Sequence, residues 1–242
     1  MMRSPANLLV VLLFLGSVLF SSHAKALSED ESEFMAARNL KASNPKEALE
    51  RLKKLSQSET ELKEYILYEI SDLVPEADQD SILNEILRMS PNLLLKLMTI
   101  HRLSLNQIEH GRPHNAENLI VSILKRSKGT ELHSKLLVAL LRAQLHQKKT
   151  HQACTQFATL FTKYADHEEM SHITADPKTW VFDTKSLSCS ISNEQYMARW
   201  KALILKGYKD KALADWNLVA NHWTKEFPYQ SVLVKFSFLN AD

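Results

Sequence analysis

A chain of 242 residues, 45% hydrophobic and with 30 basic against 28 acidic residues, has the composition of a globular domain with enough length to bury a core. Its four glycines, Gly16, Gly111, Gly129 and Gly207, are too few for glycine-rich phosphate loops and argue against sheet architectures, leaving helices joined by short turns. The near-zero net charge gives no basis for a nucleic-acid partner.

In chain order, the first element is residues 1–26. Arg3 supplies a positive start, Leu8 to Phe20 an apolar run, and Ala24-Lys25-Ala26 a small-residue cleavage site. This is the pattern of a secretory signal peptide, and the run is short for a membrane span, the alternative being an uncleaved anchor. No asparagine after it begins an Asn-x-Ser/Thr sequon, which leans towards a bacterial envelope, periplasmic or secreted. From Leu27 to Asp80 there are 7 basic and 14 acidic residues; from Lys96 to Gln152 there are 10 and 3. Such a charge gradient can steer a partner, or can mark solvated helix faces.

From residue 28 onward the chain repeats itself at intervals near 34 residues. Taking Ala48 as anchor, successive steps reach Ile82, Ala116, Ala153 and Ala212. Four residues after each anchor stand Leu52, Ile86, Ile120, Phe157 and Trp216; seven after stand Leu55, Met89, Ile123, Leu160 and Val219. Eight before stand Leu40, Val74, Ile108, Leu145 and Ile204. Anchor, +4 and +7 make one stripe on a helix, and −8 lies near the end of the helix before it. The turn between them falls at −5, where Gly111 and Gly207 supply a left-handed residue. Each unit is therefore a helix–turn–helix hairpin that must stack on neighbours, over 29–56, 59–90, 92–128, 130–165 and 193–226.

This pattern resembles the tetratricopeptide repeat family. Gly111-Arg-Pro-His-Asn-Ala116 and Gly207-Tyr-Lys-Asp-Lys-Ala212 carry the family's Gly and Ala five residues apart, with a large apolar residue four further on. The family's proline after the second helix is missing, and Ser43, Ala77 and Lys148 stand in the glycine slot of three units. The resemblance implies an all-α, right-handed α-solenoid of about five hairpins. It also implies a peptide or protein ligand on the concave face of the first helices, at His101, Leu105, Arg142, His146 and Lys201. Leu105 and Val138 replace the polar groups with which some relatives clamp a terminal carboxylate, so a C-terminal peptide is not favoured.

Residues 166–193 interrupt the repeat. They contain Asp176-Pro177, a β-like Thr179-Trp-Val-Phe182, and a helix-breaking Ser186 to Ser192. Trp180 and Phe182 are either a binding anchor or a cover for the last hairpins. Cys154 and Cys189 are the only cysteines, and in an exported chain pairing is the default; a bond between them would pin the insertion to the repeat, the alternative being two free buried thiols. Residues 228–242 form a C-terminal cap, as a helix or a strand.

Catalytic signatures are incomplete. His167-Glu-Glu-Met-Ser-His172 is one residue too long for a helical metalloprotease motif, and His110 and His114 flank a turn. Glu31-Ser-Glu-Phe34 is similar to the catalytic motif of soluble lytic transglycosylases, which also carry helical solenoids. The rest of that site is absent, and Glu31 lies in an acidic terminus where nothing raises its pKa. The expectation is a non-catalytic binding scaffold without cofactor, metal or stable membrane insertion; the alternative is an enzyme or accessory subunit of cell-wall metabolism.

Overall fold

The computed structural model describes residues 28–167, 170, 180–182 and 185–215. The signal-like residues 1–26 and the expected cap at 228–242 lie outside them. The described residues are largely helical: α1 (Glu29–Leu40), α2 (Pro45–Ser56), α3 (Lys63–Ser71), α4 (Glu76–Met89), α5 (Leu93–Glu109), α6 (Pro113–Leu124), α7 (Leu132–His146), α8 (Thr150–Lys163) and α9 (Asn193–Leu205). Residues 209–215 are also helical. The insertion holds two short strands, β1 (Trp180–Phe182) and β2 (Lys185–Leu187), paired antiparallel with Trp180 opposite Leu187.

The chain divides into two compact units at Val74 and Pro75. In the first, α1 packs on α2 and α2 on α3. Ser28 caps α1 and receives a bond in return, its N–H donating to Glu31 Oε2 at 2.7 Å. Asn44 caps α2, whose first residue, Pro45, has no N–H to leave unpaired. Ala37, Ala48, Leu52 and Ile66 are wholly buried.

In the second unit α4 packs on α5, α5 on α6 and α7, α6 on α7, α7 on α8, and α8 on α9. Ala116 lies buried with Ile108 of α5 and Ala143 of α7, so a side chain of one carbon lets the backbones meet. Ala153 and Ala212 are likewise without exposure. The boundary divides the second expected hairpin, and its stripe is displaced. Met89, expected inside, is 40% exposed, whereas Leu83 and Ile86 are fully buried. The buried stripe on α4 starts from Gln79, 37 residues before Ala116, the same step that separates Ala116 from Ala153.

Three turns share one geometry. Gly111, Lys148 and Gly207 have φ of 71°, 60° and 84°, each five residues before its buried alanine. The N–H of the next residue reaches back to the carbonyl five before: Arg112 to Gln107 at 2.7 Å, Lys149 to Gln144 at 2.9 Å, Tyr208 to Leu203 at 2.9 Å. These are Schellman closures, and the left-handed residue is what allows them. Lys148 makes this closure without being glycine.

A carboxylate grips two of the turns. Asp80 of α4 accepts from Gln107 Nε2 and from an Arg112 guanidinium nitrogen, both at 2.7 Å. Glu117 of α6 accepts from Gln144 Nε2 at 3.2 Å, Gln147 Nε2 at 2.8 Å and Lys149 Nζ at 2.5 Å. Burial alone would raise the Glu117 pKa, but these three donors hold it below the ordinary carboxylate value. Asp80 and Glu117 are 37 residues apart, and so are Gln107 and Gln144, and Arg112 and Lys149. One further step of 37 reaches Cys154, where a sulfur replaces the carboxylate.

Candidate functional site

The residues expected on the concave face fall into three groups. His101 and Leu105 lie one turn apart on α5, and Arg142 and His146 one turn apart on α7, which packs against α5. His101 is pushed down to about 4, first by burial and then by the cations Lys135, Arg142, Arg102 and His167. His101 and Arg142 are therefore close enough to feel each other's charge. The ring Nε2 of His146 is buried with no hydrogen-bond partner among the described residues. Leu105 packs against the apolar cluster of Leu97, Ile100, Ile120 and Leu136. Lys201 is exposed on α9.

The backbone of Trp180 and Phe182 belongs to β1, and their side chains lie outside the described residues. The helix-breaking run after them is partly the second strand. The sulfurs of Cys154 and Cys189 stand at disulfide distance, 2.11 Å, with Cα atoms 5.5 Å apart. Cys189 joins a core with Leu187, Tyr196, Phe157 and Met170, so the pair fastens the end of the insertion to α8.

Beside this pair an open groove of about 620 Å³ runs along α8. One wall is Thr155, Ala158, Thr159 and Thr162, a run of small side chains on one face of the helix. Their hydroxyls donate to carbonyls of the preceding turn: Thr155 to His151 at 3.2 Å, Thr159 to Thr155 at 3.2 Å, Thr162 to Ala158 at 2.8 Å. The wall consequently offers methyl groups and oxygen lone pairs. The opposite wall is the chain at 188–190, which continues past Leu187, the last residue paired with β1. The backbone groups of Cys189 and Ser190 bond to no described residue. His151 and Lys163 stand at the two ends, and no carboxylate is among the described residues that line the groove. The sequence signal, threonines spaced four and three apart, has the same form as a solvated helix face.

The expected catalytic fragments have other engagements. Glu31 caps α1, His110 Nε2 meets Glu76 Oε1 at 2.7 Å, and His114 meets the Asn118 amide at 3.2 Å. His172 is outside the described residues. Ser127 Oγ lies 2.7 Å from His133 Nδ1, but both residues are buried. Burial, aided by Lys128 and Lys163, holds His133 below its ordinary pKa. Arg199, a surface residue by type, is 1% exposed; it donates to Asp215 at 2.5 Å and covers the Phe161 ring at 4.6 Å. Its buried charge is thus neutralised and stacked, a structural bolt between α9 and the helix at 209–215. Among the described residues no group of three His, Cys, Asp or Glu gathers to hold a metal, and no helix is long and apolar enough to cross a membrane.

Comparison with protein-family models, with curated proteins and with solved structures finds no match to this chain.

Proposed function

We propose that the chain is an exported, non-catalytic scaffold, a right-handed solenoid of tetratricopeptide-like hairpins that binds a peptide or another protein. The observation that carries this reading is the recurrence of one hairpin device: buried alanine, left-handed turn and carboxylate grip, returning at 37 residues. Repeats of this kind build extended surfaces more readily than enclosed catalytic pockets. The paired helices α5 and α7, with His101, Arg142 and His146, are the proposed binding face, where the Arg142 guanidinium and the neutral His101 ring are available to acceptor groups of a partner. Export is supported by the signal-like residues 1–26 and by a cysteine pair at bonding distance. The rival reading, a cell-wall enzyme or its subunit, has less support, because Glu31 is engaged as a helix cap.

The test is site-specific photo-crosslinking in the native cell, with the reactive group at residue 101, 142 or 121. Val121 is 58% exposed on α6 and is not on the α5–α7 face. A discrete adduct at 101 and 142 and none at 121 supports the reading. Equal adducts at all three, or none, refutes it.

A further inference from the structure

We propose that the groove along α8 docks an extended acidic segment of a partner protein, about five residues long, paired to the backbone beyond β2. The groove is separate from the α5–α7 face, so either surface can fail without the other.

Four observations lead to this occupant. First, the dimensions fit. From His151 to Lys163 the helix rises roughly 18 Å, at about 1.5 Å per residue, and an extended chain covers that distance in about five residues. Second, one wall is itself backbone outside helix and strand. Residues 188–190 leave the two-stranded pairing at Leu187, and the N–H and C=O groups of Cys189 and Ser190 bond to no described residue. A strand laid beside them gains main-chain bonds of the kind that drive strand addition. Third, the helical wall is low. Threonine and alanine let a second backbone approach closely, and the threonine hydroxyls already donate within α8, so an apolar or small side chain meets no unsatisfied donor there. Fourth, one end carries the Lys163 ammonium, the other the His151 imidazole, which can donate a hydrogen bond to a carboxylate, and no acidic residue lines the groove among the described residues. A segment with a carboxylate near each end is complementary, and one with cations is repelled.

The Cys154–Cys189 pair holds the two walls together. Cys154 belongs to α8 and Cys189 to the backbone wall, and they are the one covalent link across the groove. Breaking that link lets the walls separate, so docking requires the oxidised protein.

The test is fluorescence anisotropy with the full oxidised chain and two fluorescein-labelled peptides. One is Glu-Ala-Ser-Val-Ser-Ala-Glu; the other replaces both glutamates with lysine. The glutamate peptide is expected to saturate, and to bind at least ~10-fold tighter than the lysine peptide. Thr159→Trp, which fills the groove, is expected to weaken it by about tenfold or more. Because that variant alters packing on α8, the double change His151→Glu/Lys163→Glu provides a second arm at two exposed positions, and is expected to reverse the preference between peptides. Reductant is expected to abolish binding by the wild-type chain. The proposal is overturned if the glutamate peptide shows no saturable binding up to about 1 mM. It is equally overturned if both peptides bind alike, if the charge reversal changes nothing, or if a glutamate peptide with alternate N-methylated amides binds as well as its parent.

Discussion

Lys148 holds at φ 60° a turn that Gly111 and Gly207 hold at 71° and 84°, and replacing it with glycine is expected to stabilise the protein. A side-chain-bearing residue in the left-handed region loses about 1–2 kcal/mol to contact between Cβ and the backbone. Glycine removes that strain but orders a more flexible unfolded chain, which returns about 0.5–1 kcal/mol. The lysine side chain is exposed, so little packing is lost with it. The balance is a gain of about 0.5–1 kcal/mol, or roughly 1–4 °C in Tm for a chain of this size. The two native glycines supply the reverse experiment. A methyl group built on either meets no atom within 4 Å, so Gly111→Ala and Gly207→Ala test backbone conformation without steric overlap. Each is expected to lose about 1 kcal/mol. Urea melts of the three variants, with the denaturant slope unchanged, read the energies directly. A Lys148→Gly protein no more stable than wild type, beside alanine variants as stable as wild type, would show that these turns exert no left-handed constraint.

Four further outcomes are expected. Glu117→Ala strands the buried Gln144 amide and the half-buried Gln147 amide, and Asp80→Ala strands the buried Gln107 amide, so each should lower stability by about 1–3 kcal/mol; wild-type stability of either variant in urea melts would contradict the burial argument. Ala116→Leu and Ala153→Leu should each lose about 1–3 kcal/mol by overpacking between helices, measured in the same way, and wild-type stability would refute the anchor positions. Acid should destabilise the fold through histidine: His101, at about 4 in the folded chain against 6.5 unfolded, takes up its proton first in the unfolded state. Stability is then level above about pH 6.5 and falls by about 3 kcal/mol as pH drops towards 4, with His133 adding in the same direction; His101→Gln should flatten this fall in melts at pH 7.5, 5.5 and 4.5, and an unchanged slope would refute the assignment. Mass spectrometry of the exported protein should find a mature start at Lys25 or Leu27, and an intact Met1 in the membrane fraction would refute export by cleavage.

The sequence made the alanine anchors legible because a small residue amid large apolar ones, with glycine five before Ala116 and Ala212, leaves few packing alternatives. At α4 it did not. Ile82, Leu83, Ile86, Leu87 and Met89 form two overlapping stripes, and the choice between them rests on which neighbours cover the helix, information that residue type does not carry. The turn at Lys148 was hidden for a related reason, since lysine is chemically silent about positive φ. The cysteine pair was legible from number and the signal-like start alone. The groove was not, because threonines that back-bond within their own helix look like any solvated face. Arg199 was equally hidden, its partners Asp215 and Phe161 being distant in the chain.

The succession Asp80, Glu117, Cys154 places different chemistry at equivalent joints of one architecture. The first two joints are ionic: salt screens the more exposed Asp80–Arg112 pair more than the buried Glu117 joint, and low pH loosens the Glu117 joint as its carboxylate takes up a proton. The third is covalent, indifferent to both, and yields only to electrons. Salt or acid therefore acts on the joints of α4 and α6, and a reductant on the link between α8 and the chain after β2. The two kinds of joint thus answer to different stresses at separate places in the chain.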